Sequence, residues 1–148
     1  MTSRQRILNA LQHREPDRVP RDLGGTESSG MTALALHKLQ THLSLPGAIK
    51  VFEPYQYVAY INADLRQRFK IDAANLTPEP AAWTPRHNPA GFDVWLPQLW
   101  REDTAADGAT VVLGADGRIV VRRPAGGFVF CQVRNILPAL ANKADAAL

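Results

Sequence analysis

The sequence holds one cysteine, Cys131, in 148 residues. An internal disulfide is therefore excluded, and so is any metal cluster that needs several thiolates from this chain. Flanked by Phe130 and Gln132, the lone thiol reads as a small buried apolar residue. Long apolar runs are also missing. No uncharged stretch approaches the ~18 residues needed to cross a bilayer, so no membrane partner is expected. Met1–Leu8 carries a charged amphipathic pattern where a secretory leader would place an apolar run, and the expectation is a cytoplasmic protein. A large excess of either charge is missing: 17 Lys and Arg stand against 14 Asp and Glu, a net +3. The arginines at 4, 6, 14, 18 and 21 and at 118, 122 and 123 are interspersed with acids, with no aromatic–basic stripe. That pattern describes a mixed solvated surface, and no nucleic-acid partner is expected.

Hydrophobic residues make up 45% of the chain, enough for a globular core. Thr2-Ser-Arg-Gln5 fits a capping box, and Ile7, Leu8 and Leu11 continue it as one apolar helical face that ends before Pro16. Val19–Leu23 reads as a short strand. Met31, Leu34, Leu39 and Leu43 suit a second helix capped by Ser28 or Ser29, broken at Leu45-Pro-Gly47. Glu53-Pro54 reads as the opening of a third helix, carried on by Val58, Ile61, Leu65 and Phe69. Ile71–Leu76 is a second short strand. From Thr77 the prolines at 78, 80, 85, 89 and 97 rule out a long helix. Thr110–Leu113 and Arg118–Arg122 flank Gly114-Ala-Asp-Gly117, a hairpin signal, and Phe128–Phe130 offers a third strand. Ile136–Leu148 is Ala- and Leu-rich and reads as a helix. Helices between short apolar strands point to a parallel α/β sheet.

The stretch Gly24-Gly-Thr-Glu-Ser-Ser-Gly30 is the main candidate site. Its N–H groups and hydroxyls, at Gly24, Gly25, Thr26, Ser28 and Ser29, suit a substrate anion near a helix N-terminus. The competing reading is a turn that caps the next helix, and Glu27 weighs against an anion. His13, His37, His42 and His87 lack metal-ligand spacing, since His37 and His42 miss the i, i+4 face. Asp72 suits bonds to backbone groups, and no partner for general-base work is visible in the sequence.

Ser3-Arg-Gln-Arg-Ile-Leu-Asn-Ala-Leu-Gln-His-Arg-Glu-Pro-Asp-Arg-Val-Pro20, with Leu23-Gly-Gly-Thr26 after it, resembles the amino-terminal opening of the uroporphyrinogen decarboxylase superfamily. The likeness is to its decarboxylase-like and corrinoid methyltransferase branch. Leu65-Arg-Gln-Arg-Phe-Lys-Ile-Asp-Ala-Ala74 resembles the family helix that leads into the second barrel strand. The hairpin and Pro124-Ala-Gly-Gly127 resemble an insertion of that branch. The resemblance implies the first part of a (β/α)8 TIM barrel, left incomplete because a whole barrel takes ~250 residues. It implies first helices and two strands over 1–76, a Pro/Trp-rich loop and antiparallel β-hairpin excursion over 77–135, and a tail over 136–148. The chain would then be a truncated relative, inactive alone. Its parent chemistry would be tetrapyrrole decarboxylation or corrinoid-dependent methyl transfer, with a tetrapyrrole or a corrinoid protein as partner.

The family's catalytic residues carry over poorly. The loop after the first strand has no arginine, and the position of the decarboxylase aspartate falls on Glu79, a weak catalytic candidate. Zinc belongs to the later part of the methyltransferase barrel, so no metal ligand is assigned here. The alternative is a non-catalytic module that binds a partner or itself through an exposed parallel sheet edge.

Overall fold

A computed structural model describes residues 1–45, 47–114 and 116–133. The chain divides after Gln98 into two compact units. Among the described residues no helix is long and apolar enough to cross a membrane. The expected helix over 136–148 lies outside the described residues.

The first unit opens with α1, Ser3–Leu11, and the capping box forms as the sequence suggests: Gln5 N–H donates to Thr2 Oγ1, and Thr2 N–H donates to Gln5 Oε1. Its expected apolar face does not enter a core. Leu8 and Leu11 are exposed, and the one buried residue of α1 is Arg6. An arginine buried on a helix is stable only when its charge is paired, and that pairing organises the candidate site described below.

A short strand, β1 (Met31–Thr32), runs straight into α2 (Ala33–Leu43). Thr32 caps α2 by accepting from Ala35 N–H, so neither Ser28 nor Ser29 is the cap. Ser44 ends α2 in the left-handed conformation, φ 53°.

The third expected helix begins ten residues late, as α3 (Ala63–Phe69), capped by Asn62 Oδ1 on Leu65 N–H. Its supposed first half is instead β2 (Val51–Glu53), a turn, and β3 (Val58–Ala59). The cause lies in Glu53. Its carboxylate accepts from both Tyr55 N–H and Gln56 N–H at 2.8 Å, which bends the chain where Glu-Pro would have started a helix. The three strands form an antiparallel sheet in the order β1-β3-β2.

A hairpin follows that the proline count concealed: β4 (Trp83–Asn88) and β5 (Phe92–Pro97), paired in continuous register from Trp83↔Pro97 to Asn88↔Phe92. Gly91, at φ 87°, makes the turn that only glycine adopts without strain. Phe92, Val94 and Leu96 are buried while Asp93 and Trp95 face out, the period-two pattern of a half-buried strand. With Leu36, Val51, Ala59 and Leu65 they form the core of this unit. Each fully buried leucine contributes about 1.5–3 kcal/mol.

The second unit is a four-stranded antiparallel sheet of β6 (Glu102–Thr104), β7 (Thr110–Leu113), β8 (Ile119–Arg123) and β9 (Cys131–Gln132), in that order. The β7–β8 hairpin stands where the sequence places it, with a register shift between Val112 and Leu113. The third strand forms at Cys131–Gln132 rather than Phe128–Phe130, and Cys131 is exposed rather than buried. Buried Arg123 lies 3.6 Å from Glu102 and 4.7 Å from the ring centre of Phe130.

The expected partial TIM barrel is overturned. Every strand pair among the described residues is antiparallel, and the one parallel contact is a single bridge between Lys50 and Trp95. The two stretches read as barrel strands, 19–23 and 71–76, do lie together: Asp72 N–H donates to Arg21 C=O at 2.8 Å. No ladder grows from this bond. Pro20 has no N–H to give, and the N–H of Arg21 is taken by the Asp72 side chain. An exposed parallel edge, the basis of the alternative binding reading, is accordingly not present among the described strands.

Candidate functional site

One carboxylate ties the two segments of the resemblance together. Asp72, with its side chain 1% exposed, accepts from Arg6 Nη1 at 2.5 Å and from Arg18 Nη1 at 2.7 Å. It also accepts from the backbone N–H of Arg21 at 2.9 Å. Asp17 holds the other edge of the Arg6 guanidinium in a bidentate pair, at 2.6 and 2.8 Å. Burial pushes the Asp72 carboxyl up, but the Arg21 N–H and the Arg18 guanidinium outweigh it and hold the group well below the usual carboxylate range. The hydrogen bond from Arg6 brings Asp17 down to about 2, and the same bond raises Arg6 above its ordinary value. All three groups stay ionised near neutrality. Asp72 is thus a structural staple with its oxygens fully engaged, and it has no free lone pair for proton transfer.

The staple fixes where the chain leaves residues 17–23 and 72–77, and it brings the glycine loop against the second of these. The loop is closed on itself. Gly24, at φ 79°, donates to Ser29 C=O at 2.8 Å, and Gly25 N–H donates to Asp22 Oδ1 at 2.9 Å. Thr26 N–H donates to Ser29 Oγ at 3.0 Å and Ser29 N–H to Thr26 Oγ1 at 3.2 Å. Several N–H groups expected to grip an anion are therefore engaged within the loop.

Two clefts flank the loop and share Asn75 and Thr77. The larger, about 440 Å³, is lined by Gly24, Lys50, Tyr60, Asn62, Arg66 and Glu79 among others. The second, about 400 Å³, is lined by Gly25, Thr26, Ser28, Phe52 and Leu76 among others. Four of the five loop residues singled out from sequence thus face a cleft, and Ser29 closes the loop instead. Glu79 and Gly24 meet in the larger cleft.

Lys50, Tyr60 and Arg66 give that cleft its chemistry, and sequence reasoning missed all three. Lys50 Nζ lies 3.1 Å from Glu79 Oε2 and 5.2 Å above the Trp83 ring. Tyr60 packs between Phe52, at 4.8 Å, and Trp83, at 6.1 Å between ring centres. Its hydroxyl is enclosed and has no hydrogen-bond partner. Burial, with the charge of Glu79 second, raises the Tyr60 hydroxyl above its ordinary value, so it remains a donor at neutral pH. The guanidinium of Arg66 spends one N–H on Ala73 C=O and keeps others. The signal for this cluster was weak: Lys50 and Tyr60 meet because β2 and β3 pair beside them, with Tyr60 N–H on Lys50 C=O at 2.8 Å.

The cleft therefore brings Lys50 and Arg66 into its lining, and its one carboxylate, Glu79, is paired with Lys50. That arrangement can hold an acidic group. It shows no nucleophile beside a free base. His87 is paired with Asp93 at 2.8 Å, His37 is stacked on Phe92, and no group of three or more His, Cys, Asp or Glu converges among the described residues. Comparison of the chain with protein-family models, with curated proteins and with solved structures gives no match.

Proposed function

We propose that the first unit binds a carboxylate-bearing small molecule in the cleft lined by Lys50, Tyr60 and Arg66. The class is the one the opening motif implies, a tetrapyrrole with acidic side chains. The chain alone binds without turnover. The observation that carries this reading is the presence of two cationic side chains, Lys50 and Arg66, in the lining of one cleft. Lys50 and Arg66 supply the attraction for the acid. A cleft of about 440 Å³ takes one acidic edge of a macrocycle. Decarboxylation or methyl transfer belongs, in this reading, to a parent protein that supplies the reacting groups.

The test is titration of the purified chain with uroporphyrin, which carries eight carboxylates, followed by tryptophan fluorescence. Saturable quenching is expected, weakened about tenfold in Arg66→Gln, as loss of one hydrogen bond between charged groups implies. Unchanged affinity in that variant would overturn the reading.

A second reading, self-association, is favoured by β9, an edge strand among the described residues, flanked by exposed Phe128, Val129 and Val133. A concentration-dependent mass in sedimentation would support it, and a constant monomer mass would remove it.

A further inference from the structure

The acid-binding cleft already contains an acid. Glu79 lines it, and its Oε2 lies 3.1 Å from Lys50 Nζ. The charge of Glu79 is the second cause, after burial, that raises the Tyr60 hydroxyl. A ligand carboxylate bound for Lys50 therefore meets a seat that is taken.

The two partners of this pair are held very differently. Lys50 is fixed. Its C=O accepts from Tyr60 N–H at 2.8 Å, its backbone bridges to Trp95, and its ammonium stands 5.2 Å from the centre of the Trp83 ring. A cation over an indole face keeps that attraction with or without an anion beside it. Glu79 stands in Thr77-Pro-Glu-Pro80, where Pro78 and Pro80 have no N–H to give. Thr77 N–H is spent locally, on Asn75 Oδ1 at 2.6 Å. Among the described residues, the pair with Lys50 is the one hydrogen bond or ion pair that ties 78–81 to the rest of the unit. Both side chains keep access to solvent, Lys50 at 39% and Glu79 at 61%. An exposed pair of this kind is weak and readily exchanged.

We infer that Glu79 is the cleft's resident ligand, a carboxylate seated on Lys50 that an incoming acid displaces, and that it thereby sets the affinity of the cleft. The inference rests on the acid-binding reading above. Displacement leaves Lys50 where it stands, over Trp83, and frees its ammonium for the new carboxylate. Glu79 leaves with its proline-flanked segment, which has no backbone hydrogen bond to break. The exchange also selects by charge. A polycarboxylate replaces the one carboxylate of Glu79 and gains at Arg66 besides, since that guanidinium spends one N–H on Ala73 C=O and keeps others. A neutral molecule has nothing to offer Lys50 in return.

The experiment is a uroporphyrin titration, read by tryptophan fluorescence, of four chains: wild type, Glu79→Gln, Lys50→Gln and the double variant. Glu79→Gln keeps the shape of the side chain and removes its charge. It is expected to bind about fivefold more tightly than the wild type, the ratio that loss of one exposed ion pair implies. In the Lys50→Gln background the same change is expected to gain less than about twofold, because no cation is left there to contest. Unchanged or weaker binding in Glu79→Gln, with the wild-type chain binding, overturns this inference and leaves the acid-binding reading standing. An equal gain in both backgrounds also overturns it, since Glu79 would then act as a distant repelling charge. Binding by none of the four chains removes the acid-binding reading and this inference together.

Discussion

Arg6 and Asp72, far apart in sequence, are joined by a 2.5 Å ion-paired hydrogen bond in which both side chains are shielded from solvent, 7% and 1% exposed. The bond links α1 to the segment that follows α3. Packing does not make that link, because Leu8 and Leu11 of α1 face outward. Asp72→Ala should therefore free α1 and leave two arginines without their shared acceptor. Removing one partner of a shielded pair leaves the other charge uncompensated and destabilises the fold. Urea unfolding followed by circular dichroism should show the midpoint falling well below that of the wild-type chain, and an unchanged midpoint would contradict the staple.

Acid should act on the same network, with a definite sign. Asp17 and Asp72 are both held below their ordinary value of 3.8, Asp17 at about 2. Groups depressed in the folded state add stability above the unfolded value, and that stability is lost as pH falls through the folded value. Stability should be level from neutrality down to about pH 5 and then fall steeply between roughly pH 4 and 2. Asp17→Asn should flatten part of that fall. Denaturant midpoints across this range give the measurement.

The Glu53 turn is testable by a change of one residue. Glu53→Ala removes acceptors for the N–H groups of Tyr55 and Gln56. The cost expected is about 1.5–3 kcal/mol, the range for hydrogen bonds to a charged group. Hydrogen exchange at residues 55 and 56 should accelerate together. Protection equal to wild type would show that the turn does not depend on the carboxylate.

Gly24 combines a positive φ with a close neighbour: a Cβ there would lie 2.7 Å from Ile61 Cγ1. Gly24→Ala should destabilise the first unit by about 1–3 kcal/mol. It should also weaken ligand binding, because Gly24 lines the Tyr60 cleft. Thermal unfolding and ligand titration of the same variant separate the two effects.

Local signals in the sequence were legible where one or two side chains decide the backbone. The Thr2–Gln5 capping box and the β7–β8 pairing form as their residues dictate. The sheet direction was not legible. Apolar residues at 58, 61, 65 and 69 fit a helical period, yet Glu53 redirects the first half of that run into a strand pair. The β4–β5 hairpin was hidden by counting Pro85 and Pro97 as breakers. Its alternation at Phe92, Val94 and Leu96 was present in the sequence and outweighed them. Of the site, the glycine loop was legible from composition. Lys50 and Tyr60 were not, because their meeting is a product of strand pairing and leaves no mark in local spacing.

The most direct measurement compares two porphyrins of similar core and opposite charge, uroporphyrin and a tetracationic pyridinium porphyrin, by calorimetric titration of the purified chain. The expected result is saturable binding of the carboxylate form at one site, at least tenfold tighter than the cationic form and reduced in Lys50→Gln. Equal binding of both, or none of either, would contradict an acid-binding cleft at Tyr60.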